Sequence, residues 1–282
     1  MLTPSTEISA EHAEKLISSI KIPPRPVILQ ELMTETKKPE PSLLKIAQLI
    51  SKDIALSAAM LKLVNSPAFG FSRKIDSPQQ AVMTLGIRNV SGLVTGLSLK
   101  NALGQGMSLE RFWDSADRVA NISMTIASKL HEIPRDMAYL HGLFRDCGMP
   151  IMMQKFPDYM DTLKAANAEK TRLFTKVEDE RHSTNHAVIG YLLARSWGVA
   201  DEICQAILNH HENSLLDSGS NIPAVSSGLI AVSCLAEYLS DYVRLRGDDH
   251  WQENGAGVME YLGIDQSELE DLKEEIAQQY AS

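Results

Sequence analysis

At 282 residues the chain carries enough apolar surface for one large domain or two smaller ones, and its 44% hydrophobic and 22% charged residues are ordinary for a soluble globular protein. A net charge of -9 argues against broad binding to nucleic-acid phosphates. No run of about 18 apolar residues exists, so no membrane span is expected.

Helical signals dominate in chain order. Ser9 precedes an amphipathic stretch with Leu16, Ile17 and Ile20 on one face. Pro23-Pro24-Arg25-Pro26 breaks the chain before a helix over Val27 to Thr36. Ser42 and Asp53 are N-caps for the next two helices, one carrying Leu43, Ile46, Ala47 and Ile50, the other Leu56, Met60 and Leu63. Asn65-Ser66-Pro67 ends the second of these. Ser77-Pro78-Gln79-Gln80 reads as a capping box with proline at the first helical position. A further helix after Gly86 carries Val90, Leu93, Val94 and Leu97. Gly92 and Gly96 on it are spaced for close helix packing.

Gly104-Gln105-Gly106 is the best internal boundary, dividing a 1–106 unit from a 107–282 unit. The first holds 12 basic and 8 acidic residues and the second 15 and 28, so the two surfaces differ in sign. Helices are predicted over Leu109 to His131, Asp136 to Cys147, His182 to Trp197 and Asp201 to Glu212. A long apolar helix follows Pro223. Asp265 caps an acidic terminal helix, expected to be solvated, with a docking element as the alternative. No period-2 alternation or hairpin turn interrupts the pattern, and the fold class is all-α.

Cys147, Cys204 and Cys234 are odd in number and far apart, which fits neither a disulfide framework nor a zinc knuckle. Buried thiols in a reducing compartment are expected, and Met1 to Ala13 lacks a secretory signal pattern, so a cytoplasmic location follows.

The most informative stretch is His141-Gly142-Leu143-Phe144-Arg145-Asp146-Cys147-Gly148-Met149-Pro150. His141 and Arg145 are four apart and share a helix face, and Gly148-Met149-Pro150 is read as the helix stop. His182 and His186 are spaced like one turn of a helix and could chelate a metal together. His210-His211-Glu212 ends a neighbouring helix, where a 100° step between adjacent residues predicts that one of the two histidines faces inward.

These segments, taken in order, resemble the HDOD domain, a divergent branch of the HD metal-dependent phosphohydrolases. The resemblance rests on Ile22-Pro23-Pro24-Arg25-Pro26, Ile50-Ser51-Lys52-Asp53-Ile54-Ala55-Leu56, Asn65-Ser66-Pro67 and Gln80-Ala81-Val82-Met83-Thr84-Leu85-Gly86. It continues through Phe112-Trp113, His141 to Pro150, His186-Ala187-Val188-Ile189-Gly190, Trp197-Gly198 and Asn209-His210-His211-Glu212. Together these span about residues 12–240. The resemblance implies an N-terminal helical subdomain packed on an HD-like helical bundle, and a stand-alone module of bacterial signalling.

HD enzymes hold a catalytic metal with a first His, a His-Asp pair and a later Asp. By that resemblance the first His falls at Ser115, the pair at Arg145 and Asp146, and the later Asp at Cys234. Only Asp146 keeps its ligand type, and arginine cannot deprotonate to become a ligand. This degraded site of Ser115, Arg145, Asp146 and Cys234 favours a non-catalytic regulatory module with no cofactor. Its expected partner is a signalling protein, or else a cyclic dinucleotide or another small ligand. Arg145 and Asp146 then keep a structural, ion-paired role. The alternative is a metal-dependent phosphohydrolase or phosphodiesterase that binds Fe, Mn, Zn or Ni through His141, Asp146, His186 and His210 or His211. The oligomeric state is not legible.

Overall fold

Side-chain caps at Ser42, Asp53 and Ser77 start three N-terminal helices where the sequence places them. Ser42 Oγ accepts from the Lys45 N–H to begin α2 (Leu43–Ser51), which follows α1 (Val27–Thr36). Asp53 Oδ1 accepts from the Leu56 N–H at 3.0 Å to begin α3 (Ile54–Val64). Asn65 then closes the loop after α3, donating to the Leu61 and Ile75 carbonyls and accepting from the Ile75 N–H, each at 2.8 Å. Ser77 caps α4 (Pro78–Leu103), which kinks at Gly86, where φ is +78°. A φ of +78° with ψ of 168° lies in a region that residues with side chains rarely adopt.

The structure is a computed structural model and describes residues 20–66, 69–104, 109–130, 132–169, 171–212, 216, 221–245 and 249–280. The stretch before Ile20, Pro67, the Gln105-Gly106 boundary, His131 and most of the loop before Asn221 lie outside the described residues.

After α4 come α5 (Glu110–Lys129), α6 (Arg135–Phe144), α7 (Gly148–Lys155), α8 (Tyr159–Ala168) and α9 (Phe174–His182). The chain ends with α10 (His186–Trp197), α11 (Asp201–Asn209), α12 (Ala224–Val243), α13 (Asp249–Leu262) and α14 (Gln266–Tyr280). No strand occurs among the described residues, and the fold is all-α. A continuous apolar core runs from Ile20 through Leu29 and Ile50 to Leu143, Ile189, Leu235 and Ile276. Helix α4 meets α2 and α3 on one side and α6 on the other. Its length and apolarity would suffice to cross a bilayer, but Val90, Leu93, Val94 and Leu99 are buried in this core. Gly96 lets α4 approach α6, since a Cβ there would fall 2.6 Å from Leu143.

The proline-rich segment latches the N-terminal helices to the bundle. Trp197 Nε1–H donates to the Pro23 carbonyl at 2.9 Å, and Arg25 Nη2 donates to the Ser196 carbonyl at 2.7 Å.

Three expectations need correction. Gly148-Met149-Pro150 does not stop a helix. The chain leaves α6 at Phe144, turns through Arg145, Asp146 and Cys147, and starts α7 at Gly148. Pro150 is tolerated because first-turn N–H groups have no intrahelical partner. A Cβ at Gly148 would lie 2.0 Å from the His186 carbonyl oxygen, so α7 and α10 meet backbone to backbone.

His182 and His186 do not share a helix. Ser183 adopts a left-handed φ of 56°, and Asn185 starts a new helix by accepting from the Val188 N–H at 2.9 Å. His182 turns away to Thr162, 2.8 Å from its Oγ1.

The acidic terminal helix is not simply solvated. Asp265 and Glu268 form a reciprocal capping box, and α14 buries Leu269, Leu272 and Ile276 against the bundle. Lys129 pairs with Glu275 at 2.7 Å across that contact.

Candidate metal centre

Four side chains from three places in the chain converge. Asp146 comes from the α6–α7 turn, His186 from the first turn of α10, and His210 and His211 from the end of α11. One ligand atom from each lies within 4.8 Å of all the others. His186 Nε2 is 3.3 Å from His210 Nε2 and 3.0 Å from His211 Nε2. Asp146 Oδ1 is 3.5 Å from His186 Nε2 and 3.4 Å from His210 Nε2.

Both adjacent histidines face inward because α11 ends at Asn209. His211 lies in the turn beyond the helix, so the 100° helical step no longer separates the pair. Its ring stacks on Phe174, 5.5 Å between centroids.

Outer contacts set the tautomers. His186 Nδ1 lies 2.7 Å from Glu178 Oε2, and His210 Nδ1 lies 2.8 Å from the Ile207 carbonyl. Carboxylate and carbonyl oxygens only accept, so each Nδ1 carries the proton. In the neutral rings the Nε2 lone pairs then point into the cluster, where only a proton or a cation satisfies them. Carboxylate-oriented imidazoles are the usual support of metal-binding histidines. Glu178 is itself buried and held by the Tyr159 hydroxyl, which donates to its Oε1. It also accepts from the His186 backbone N–H at 3.3 Å. The donor set therefore fits a divalent ion of intermediate hardness.

Electrostatics follow from this packing. Burial disfavours a charged His186, yet Asp146 and Glu178 outweigh it and raise its pKa to about 9. Burial depresses His210, and His211 further still. Burial alone would raise the Asp146 carboxyl, but the Arg145 cation beside it holds it well below the usual range.

Arg145 takes the other side of Asp146. Its Nε donates to Asp146 Oδ2 at 3.0 Å, while Nη1 and Nη2 donate to the two carboxylate oxygens of Glu237 at 3.0 and 2.5 Å. The Asp146 carboxylate is thus divided between histidines and guanidinium.

His141 is fully buried near this group but outside it, and neither ring nitrogen has a hydrogen-bond partner of good geometry. Burial pulls its pKa down to about 3, with His210 and Arg145 adding to the effect. Ser115 is half-buried on α5, and Cys234 is buried on α12 one turn before Glu237. Cys234 does not belong to the converging group.

Glu178, Tyr159 and Glu237 escape the sequence reading. Glu178 sits in the run Val177-Glu178-Asp179-Glu180, which looks like a solvated face, and only its eight-residue spacing before His186 hints otherwise. Glu237 is the one carboxylate in the apolar stretch of α12 from Ala224 to Leu239.

Comparison with known proteins agrees with this architecture. A Shewanella amazonensis SB2B structure, described as a candidate phosphohydrolase, superposes with a TM-score of 0.71 at 22% identity, covering 95% of this chain and 94% of that one. An uncharacterised Treponema pallidum protein is 27% identical over 213 residues, 74% of this chain and 40% of its own length. A Vibrio cholerae relative named cyclic di-GMP phosphodiesterase CdgJ is 28% identical over 131 residues, 46% of this chain and 30% of that protein. The chain therefore spans well under two thirds of these curated relatives. The HDOD domain pattern matches residues 22–213, a stretch that runs from the latch at Pro23 to the last histidine of the cluster, and the chain belongs to the HDOD domain family.

Proposed function

We propose that this protein is a regulatory module of bacterial signalling that holds one divalent metal ion at Asp146, His186, His210 and His211 and does not hydrolyse phosphodiesters. The observation that carries this reading is the divided carboxylate of Asp146, with Oδ1 toward the histidines and Oδ2 on Arg145. In a two-metal hydrolytic centre, ions on both sides stabilise the attacking and leaving oxygens. Here a guanidinium that cannot deprotonate fills one of those sides, locked by Glu237.

When bound, the ion supplies a Lewis-acidic centre for an anionic oxygen. Glu178 keeps the His186 ring oriented for it, and the Ile207 carbonyl does the same for His210. Degraded ligand positions at Ser115, Arg145 and Cys234 support a binding rather than a hydrolytic role. Its partner would be a signalling protein, and the net charge of -9 disfavours nucleic acid. Cysteines without disulfides suit the cytoplasm.

The converging donors also favour a second reading, a one-metal phosphohydrolase. Metal analysis of the full chain, with turnover assays on cyclic di-GMP and bis(p-nitrophenyl) phosphate, separates the two. We expect about one equivalent of Fe, Mn, Zn or Ni and no turnover. Turnover that is lost in His186→Ala replaces the regulatory reading with the hydrolytic one. Metal-free protein removes the metal from the proposal.

A further inference from the structure

A second concavity lies where the N-terminal helices meet the bundle, lined by none of the clustered histidines. It encloses about 180 Å³ and is walled by α1 and α4 on one side and by α6 and the α10–α11 turn on the other. Its apolar lining includes Leu32, Leu140 and Trp197, all buried. An apolar cavity of about 150 Å³ accepts benzene, so this one has room for a body of at least that size.

The polar lining is unusual for so small a space. Arg88 on α4 and Asp136 on α6 both line it, and neither makes an ion pair or side-chain hydrogen bond among the described residues. The Ser91 hydroxyl, also in the lining, is buried with no hydrogen-bond partner. A buried hydroxyl left unsatisfied costs free energy that a bound polar group would recover. One cation, one carboxylate, one orphaned hydroxyl and an apolar wall together match a compact zwitterion with an apolar body.

We propose that this cavity binds a free α-amino acid with an apolar side chain, its carboxylate on Arg88, its ammonium on Asp136 and its side chain against Leu32, Leu140 and Trp197. Such a ligand touches both halves of the molecule and stabilises their docked arrangement. Three helices also run from this cavity to the histidine cluster. Helix α6 begins beside it with Asp136 and leads to Arg145 and Asp146, α10 runs from His186 to Trp197, and α11 runs from Ala200, its N-cap, to His210. Asp136, Trp197 and Ala200 each lie about ten residues, roughly 15 Å of helix, from the cluster residue on the same segment. The proposal does not depend on what the metal centre does.

Calorimetry and thermal unfolding of the full chain with L-leucine, L-methionine and L-phenylalanine test it. At least one is expected to bind and raise the melting temperature. For a leucine-binding protein, 4-methylpentanoate, which lacks the ammonium, and 3-methylbutylamine, which lacks the carboxylate, should each bind about tenfold more weakly or worse. Arg88 is exposed, so R88Q keeps the fold; it should weaken leucine about tenfold and leave 3-methylbutylamine unchanged. D136N should do the converse with 4-methylpentanoate. Absence of binding by all three amino acids at millimolar concentration overturns the proposal, as does binding that R88Q and D136N leave unchanged.

Discussion

Arg145 and Glu237, 92 residues apart in the chain, meet as a bidentate pair with N–O distances of 3.0 and 2.5 Å. The guanidinium side chain is 10% exposed and the carboxylate 41%, so the pair sits at the lip of the site rather than in its depth. Arg145 is held charged despite burial, by Asp146 first and then by Glu237.

Removing Glu237 leaves the Arg145 guanidinium with Asp146 as its remaining carboxylate partner and two of its N–H groups unpaired. Glu237→Gln should therefore lower stability by about 1–2 kcal/mol, discounted from a fully buried pair because Glu237 is partly solvated. Urea unfolding of Arg145→Met, Glu237→Gln and the double variant gives the coupling directly. Strict additivity would show that the two side chains do not stabilise one another.

Glu178 would act on a bound metal only through His186. Glu178→Gln keeps the shape but weakens the acceptor that fixes the ring, and metal affinity should fall about tenfold. Competition with a chromophoric chelator measures this. Tyr159→Phe, which leaves Glu178 one hydrogen bond short, should give a smaller loss in the same direction. Equal affinity in all three proteins would assign Glu178 a purely structural role.

Stability of the metal-free protein should peak near pH 6.5. His141, His210 and His211 have lowered pKa values in the folded state, so the unfolded chain binds more protons as pH falls below 6.5 and stability drops. His186 has the opposite sign. Its stabilising proton is fully present below pH 6.5 and is lost as pH rises through about 9. A bound divalent ion replaces that proton, so metal should flatten the alkaline limb, and metal uptake below pH 9 should release protons. Chemical denaturation across pH, with and without metal, reads both effects; an alkaline limb indifferent to metal contradicts the shared site.

In the N-terminal helices, Glu35 is the group to watch. Its carboxylate accepts from Lys38 Nζ at 2.6 Å and the Ser42 N–H at 3.2 Å, with Lys45 Nζ at 3.3 Å. The Lys38 hydrogen bond, against the cost of burial, draws its pKa down to about 2. A lowered carboxyl pKa stabilises above the unfolded value and is lost as pH falls through the folded one. Glu35→Gln should thus lower the melting temperature at pH 7 and have little effect near pH 2. A variant as stable as the parent at pH 7 removes the role assigned to this anchor.

The local rules of the fold are legible in the sequence. Ser42, Asp53 and Ser77 cap the helices their positions predict, because a cap is a contact over three residues. The candidate site is legible only in part. Asp146, His186, His210 and His211 carry the chemistry in their own names and resemble a known pattern. Glu178, Tyr159 and Glu237 do not, since a carboxylate on a helix is ordinary until distant packing buries it. The break at Ser183 is hidden for a similar reason. Nothing in Arg181-His182-Ser183-Thr184-Asn185 forbids a helix, and the Asn185 cap wins through contacts made beyond the segment.

The meeting of Gly148 with the His186 carbonyl has a consequence for how this protein can change over time. The separation between the turn bearing Asp146 and the helix start bearing His186 is set main chain to main chain, with no side chain as spacer. Hydrophobic cores accept many exchanges of similar volume. Drift of that kind in the surrounding bundle leaves the polar centre in register, whereas a single methyl group at position 148 would pry it apart.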